Sequence, residues 1–268
     1  MSSIVDRTEK VKSSVCCSIL TNSFIFPILK EVFSCCSRIK RKAATIFAVC
    51  THVLKGIDMN IQLVVEVLGT IAFAVSGAML AIDRKMDLFG VLVLGLVTAS
   101  GGGFIRDVTL GIIPPSMFVS PMLIPVGLLT SFYTFLTVHW NQHMIPELPA
   151  GLFQWILNFT DAVGLGLFTV LGVNAAIDAG YGDCHKFIIF LGMLTGIGGG
   201  MLRDILAGLM PAILRKHIYA CASLLGAVCY DYLLLCMRKE YAMFTGAMIV
   251  MLVRMLAYHF KWNMPRAV

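Results

Sequence analysis

Charge is what this sequence has least of. Asp, Glu, Lys and Arg together make up 13% of its 268 residues, about half the share carried by a soluble domain. That scarcity removes the ordinary water-facing surface and points to lipid as the solvent. Also missing are the motifs of the common hydrolases and nucleotide enzymes. There is no His-Glu-x-x-His, no Gly-x-Ser-x-Gly and no nucleotide-binding glycine pattern after a strand. Ser76-Gly77 with His139 could suggest an intramembrane serine protease, but Ala74 stands where the Gly-x-Ser-Gly pattern needs glycine. The nine cysteines have neither zinc spacing nor the framework of a secreted disulfide domain. Cys221, Cys229 and Cys236 fall within one apolar stretch and read as small buried hydrophobes. These absences leave no catalytic residue, metal or cofactor to assign, and the expectation is a protein that is not an enzyme.

What is there is apolar. Hydrophobic residues reach 58% and the mean hydropathy is +0.86. A hydrocarbon core takes roughly 20 apolar residues to cross as a helix. Seven stretches qualify: 61–82, 88–110, 117–139, 156–178, 186–208, 213–236 and 241–260. Short connections such as Asp83-Arg84-Lys85-Met86-Asp87 and Met237-Arg238-Lys239-Glu240 leave no room for a soluble domain between them. Backbone groups in lipid must be satisfied within the protein, and the strict alternation of a barrel is absent, so helices follow. The chain reads as an integral, multi-pass α-helical protein of the plasma membrane or an intracellular membrane.

Residues 1–60 differ in kind. Arg7, Lys10, Lys12, Lys30, Arg38, Lys40, Arg41, Lys42 and Lys55 all precede the first span. A basic cluster beside a membrane meets anionic lipid headgroups rather than nucleic acid. Segment 15–33 is interrupted by Asn22, Pro27, Lys30 and Glu31, which suits an interfacial helix better than a span. Cys16, Cys17, Cys35 and Cys36, next to basic residues, are candidates for palmitoylation. The loops of the core place the C-terminus in the cytoplasm by the positive-inside rule, on the strength of Arg84, Lys85, Arg215, Lys216, Lys261 and Arg266. The basic extension argues the opposite orientation.

The sequence also repeats itself. Gly69, Phe73, Gly77, Ala81, Ile82 and Asp83 recur 95 residues later as Gly164, Phe168, Gly172, Ala176, Ile177 and Asp178. Thr98, Gly101, Gly102, Gly103, Arg106, Asp107, Gly111 and Pro114 recur 97 residues later as Thr195, Gly198, Gly199, Gly200, Arg203, Asp204, Gly208 and Pro211. The change of frame puts two extra residues in the loop between the first two helices of the second copy. Repeat 1 covers 61–139, repeat 2 covers 156–236, and 241–260 is an unpaired seventh helix. Three spans per copy is an odd number, so the second copy enters the membrane from the opposite side. Inverted repeats of this kind are a plan common in transporters, with the site near the bilayer midplane.

The residues that could carry function lie in the repeated Gly-Gly-Gly-x-x-Arg-Asp segments. Three successive glycines weaken a helix and permit a kink or an unwound turn that exposes backbone carbonyls. The same residues also let two helices approach closely. Two triplets in matching positions favour broken helices at an ion path: Gly101–Gly103 and Gly198–Gly200, with Thr98 and Thr195 either facing it or bonding back to their own helix. Arg106-Asp107 and Arg203-Asp204 are expensive to place in a membrane. They are either ion pairs that lock helices or carboxylates that attract cations, and both readings stand. Asp83 and Asp178 are either solvated helix ends or part of a vestibule. Glu66 and Asp161, near helix starts, suit the helix dipole. Ser76 and Ser100 either face the cavity or bond back to their own helix.

Gly69-Thr-Ile-Ala-Phe-Ala-Val-Ser-Gly77, Met86-Asp-Leu-Phe-Gly90, Gly101-Gly-Gly-Phe-Ile-Arg-Asp107 and Gly198-Gly-Gly-Met-Leu-Arg-Asp204 resemble the bacterial-type trimeric intracellular cation (TRIC) channel family, also known as the glycine transporter domain family. The resemblance covers 61–260. It implies seven helices as two inverted repeats plus one, and a homotrimer with a potassium-permeable pore in each protomer. It further implies kinks at the triplets of the second and fifth spans, where the pore would form. A cation channel is therefore the leading expectation, potassium or another monovalent cation its ion. A secondary transporter of glycine or another small amino acid, using the same broken helices in alternating access, is the alternative. A membrane scaffold that transports nothing would leave the duplicated glycines without a purpose.

Overall fold

The computed structural model describes residues 61–140, 150–215 and 218–260. The basic extension with Cys16, Cys17, Cys35 and Cys36, and the loop charges Lys216, Lys261 and Arg266, lie outside the described residues. Among the described residues there is no strand. The elements are α1 (Ile61–Asp83), α2 (Leu88–Thr109), α3 (Ser116–Val119), α4 (Leu123–Trp140), α5 (Ala150–Ala176), α6 (His185–Leu206), α7 (Ala212–Arg215), α8 (Ile218–Cys236) and α9 (Lys239–His259). Six of the described helices are long and apolar enough to cross a bilayer, and Leu123–His139 forms a shorter apolar helix. This is an all-α, multi-pass integral membrane protein.

Local chemistry sets the helix ends. The Asp87 side chain accepts from the Gly90 amide at 2.8 Å and so caps α2. Both triplet-bearing helices stop in the same way. After α2, Gly111 takes φ +72° while its N–H bonds Val108 O and the Ile112 N–H bonds Asp107 O. After α6, Gly208 takes φ +67° with the matching bonds to Ile205 O and Asp204 O. This is a Schellman ending, in which glycine supplies the left-handed residue that closes the last carbonyls.

One expected span proves to be composite. The stretch 117–139 divides into α3 and α4, while 213–236 is described as α7 and α8, with 216 and 217 outside the described residues. At the division between α3 and α4 Ser120 is extended (ψ 118°), because it precedes Pro121, whose ring disfavours helical geometry in the residue before it. Helix α5 is already formed at Ala150, ahead of the expected 156. Its C-terminal side widens into a π-turn, Ile177–Tyr181, with Gly180 at φ +90°, and this turn takes up the residues by which the two repeat frames differ.

The packing follows the duplication. The hairpin α1–α2 corresponds to α5–α6, α1 packs on α5, and α2 packs on α6. Helix α4 lies against α1 and α2 as α8 lies against α5 and α6. Helix α9 has no partner in the first copy and rests on α5 and α8. Phe73 and Phe168, equivalent by the offset of 95, stack on each other at 5.2 Å between ring centroids. Each ring covers the partner repeat's glycine, Phe73 on Gly164 and Phe168 on Gly69. The repeats thus meet at an aromatic pair with small residues beneath it.

Candidate functional site

The two glycine triplets face each other where α2 crosses α6. A Cβ on Gly102 would stand 2.2 Å from the Thr195 carbonyl oxygen, and one on Gly199 would stand 2.3 Å from the Thr98 carbonyl oxygen. Flanking them, Gly101 meets Leu202 of the opposite helix and Gly198 meets Ile105. Both helices run without interruption through their triplets, and no residue there leaves helical geometry. The expected unwound turn is therefore absent: any bend is carried within a continuous hydrogen-bond ladder, and the glycines instead supply close approach. The physical reason is that backbone-to-backbone contact needs only the missing Cβ, whereas an unwound turn would leave polar groups unpaired at depth.

Thr98 and Thr195 are fully buried at the crossing. Their hydroxyls donate to Leu94 O at 2.6 Å and Leu191 O at 2.7 Å. Each hydroxyl packs on a glycine of the first helix in its own repeat, Gly77 or Gly172. Ser100 also bonds back to its own helix, at Leu96 O. Of the polar residues considered from the sequence, Ser76 alone behaves otherwise, accepting from Arg203 Nη1.

One turn beyond each triplet lies a charge cluster. In the first, Arg106 Nε bonds Asp107 Oδ1 at 2.7 Å, and its Nη2 bonds Ser116 Oγ at 2.9 Å and lies 3.8 Å from Glu66. In the second, Arg203 bonds Asp204 Oδ1 through Nε and Nη2 at 3.0 and 2.9 Å, and Asp161 Oδ1 through Nη1 at 2.7 Å. The aspartates have a further task that is the same in both copies. Asp107 Oδ2 accepts the Ser116 amide at 2.7 Å, and Asp204 Oδ2 accepts the Ala212 amide at 2.8 Å. Each carboxylate thus ties the start of a short helix, α3 or α7, to the end of the long helix before it. The locking ion pair is the reading of the Arg-Asp motif that the geometry favours.

Asp83 is exposed at the end of α1, and Asp178 pairs with the partly exposed Lys239 at 3.1 Å. Neither joins the crossing. Glu66 and Asp161, expected to serve a helix dipole, stand instead against the arginines as second carboxylates. Their signal was available: they are separated by the same 95 residues as the glycines of their helices, with acidic character kept and length changed. Arg254 was missed. It lies buried on α9, 3.6 Å from Asp161 and 4.5 Å above the Tyr219 ring. A lone charge about two-thirds of the way along the seventh span was its only sign. Tyr219 Oη and Arg254 Nε find no hydrogen-bond partner among the described residues. No group of His, Cys, Asp and Glu suited to a metal occurs among them either.

A family model described as glycine transporter matches residues 63–139 and 158–235, which are the two repeats. The UPF0126 inner membrane protein YadS of Escherichia coli is 38% identical over 202 residues, spanning 75% of this chain and 93% of that one. A UPF0126 membrane protein of Vibrio cholerae is 35% identical over 221 residues, 82% of this chain and 88% of the other. Among solved structures, the TRIC channel orthologue from Rhodobacter sphaeroides superimposes with a TM-score of 0.68 at 33% identity, covering 76% of this chain and all of that one. A prokaryotic TRIC channel crystallised in 0.5 M KCl gives a TM-score of 0.68 at 29% identity. With the duplicated fold, the paired triplets and these matches together, the chain belongs to the trimeric intracellular cation channel family, whose family model carries the glycine transporter description.

Proposed function

We propose that this protein is a membrane cation channel that carries potassium, with the ion path in each protomer running past the crossing of Gly101–Gly103 and Gly198–Gly200. The observation that carries the reading is the back-to-back pairing of the triplets, with an Arg–carboxylate cluster one turn away on either side. Because the repeats are inverted, those clusters lie toward opposite membrane faces, as the two approaches to a single constriction would. Carboxylates near a pore raise the local cation concentration. The likeness to solved TRIC cation channels supports the same class of function, and it supports a homotrimer as the working assembly.

At the crossing the two backbones touch, so this route is shut in the conformation described. Conduction along it requires α2 and α6 to part, which the small Gly101–Gly103 and Gly198–Gly200 faces make feasible by leaving no interdigitated side chains between the central residues. Transport of glycine by alternating access would use the same crossing, and the family description is what speaks for it. Liposomes containing the purified protein separate the two. The channel reading expects passive potassium flux driven by the gradient alone, and no saturable glycine uptake. Saturable glycine uptake without potassium flux would overturn it.

A further inference from the structure

The two charge clusters are not equivalent, and the difference marks a binding site. In repeat 2, Arg203 and Arg254 face Asp161 and Asp204, and formal charges balance. In repeat 1, Arg106 alone faces Asp107 and Glu66, which leaves one negative charge over. The excess sits beside a cleft. Glu66, Thr70, Ser100, Gly103, Ser116 and Leu123 are among the residues that line it. The corresponding place in repeat 2 is filled. There the Tyr219 hydroxyl stands 2.5 Å from where a Gly200 Cβ would be, with the Arg254 guanidinium over the Tyr219 ring and within 3.6 Å of Asp161. Next to Gly103, by contrast, a Cβ would come no nearer than 3.9 Å to any neighbour, and that neighbour is Arg106 Nη2.

The walls of the cleft are largely apolar, from Ala99, Met117, Leu123 and Phe168, and its polar side chains are the Glu66 carboxylate and the hydroxyls of Thr70, Ser100 and Ser116. Thr70 Oγ1 donates to Glu66 O at 2.8 Å and Ser100 Oγ donates to Leu96 O at 2.7 Å. Ser116 Oγ donates to Asp107 Oδ2. All three hydroxyl protons are thereby spent; Thr70 and Ser100 keep both oxygen lone pairs, and Ser116, which also accepts from Arg106 Nη2 at 2.9 Å, keeps one. The charge of Arg106, whose guanidinium bonds Ser116 and lies 3.8 Å from Glu66, is already matched by Asp107 at 2.7 Å. A net charge of one, neutral oxygen ligands and room for a single ion-sized guest suit a monovalent cation and not an amino acid.

We propose that this cleft binds one monovalent cation on the Glu66 carboxylate and the Thr70, Ser100 and Ser116 hydroxyls, doing for repeat 1 what the tethered Arg254 guanidinium does for repeat 2. The proposal deepens the channel reading and rests on it for the choice of potassium, but its test reads binding rather than flux. Thermal unfolding of the detergent-solubilised protein is followed in potassium chloride and in N-methylglucamine chloride at equal concentration. The site predicts a midpoint that rises saturably with potassium only. Glu66→Gln abolishes the rise, and Ser100→Ala increases the potassium concentration for half effect about two- to tenfold. Crystals of the wild-type protein in rubidium chloride should show an anomalous peak beside Glu66, which decides the matter if Glu66→Gln fails to fold. Equal midpoints in the two salts, a potassium effect that Ser100→Ala leaves untouched, or rubidium bound only elsewhere would overturn the site. Potassium currents without this binding would leave the channel standing and remove the site. Binding without currents would do the reverse.

Discussion

Repeats 1 and 2 share a backbone plan but handle their buried charge differently. At the end of repeat 1 the second carboxylate is Glu66, held loosely at 3.8 Å from Arg106 beside an open cleft. At the end of repeat 2 it is Asp161, one methylene shorter, gripped by Arg203 at 2.7 Å and approached by Arg254. The unpaired helix α9 causes this asymmetry, since it brings the extra guanidinium and rests on repeat 2 alone. The duplicated core therefore has one closely paired, charge-balanced end and one more loosely paired end with a carboxylate in excess.

The comparison can be broken most forcefully at Asp161. Asp161→Asn leaves Arg203 and Arg254 short of a counter-charge and should cost about 3–5 kcal/mol, whereas Glu66→Gln should cost about 1 kcal/mol because Asp107 still serves Arg106. Melting of both variants in detergent measures the difference, and equal losses would mean that the two ends are alike. Next comes the crossing, where the repeats should not differ. Gly102→Ala and Gly199→Ala each drive a methyl into a backbone carbonyl and should each cost about 1–3 kcal/mol. Tolerance of one and not the other would show that the helices do not meet symmetrically.

The third glycines sharpen the contrast at smaller scale. Gly200→Ala meets the Tyr219 hydroxyl and should destabilise by about 1 kcal/mol. Gly103→Ala has room and should be neutral or stabilising by up to about 1 kcal/mol through helix propensity. Opposite signs in the two melts are the expected result. Smallest of all is Tyr219→Phe, which removes a buried hydroxyl that has no partner among the described residues. Its melting midpoint should stay the same or rise by the equivalent of about 1 kcal/mol.

Much of the fold was legible because its signals are local or periodic. Apolar length located the spans, and the offsets of 95 and 97 disclosed the duplication and its inversion. The Gly-Gly-Gly-x-x-Arg-Asp segments stand out in the sequence, and the structure brings them together without the unwound turn expected of them. Glycine weakens an isolated helix, but here α2 and α6 hold each other in helical form at a crossing where Gly102 touches Thr195 and Gly199 touches Thr98. Such mutual support arises between segments about a hundred residues apart and leaves no mark in either one. The partners of Arg203 were hidden for the same reason, since Asp161 is 42 residues away and joins it only when α5 folds against α6. Pro121 could have divided the third span in advance, because its effect on Ser120 is local.

Electrical recording tests the central claim most directly. Purified protein in a planar bilayer, with potassium chloride at unequal concentrations on the two sides, should give unitary currents that reverse near the potassium equilibrium potential. Absence of unitary currents, or reversal at the chloride potential, would contradict a cation channel built on these paired glycine triplets.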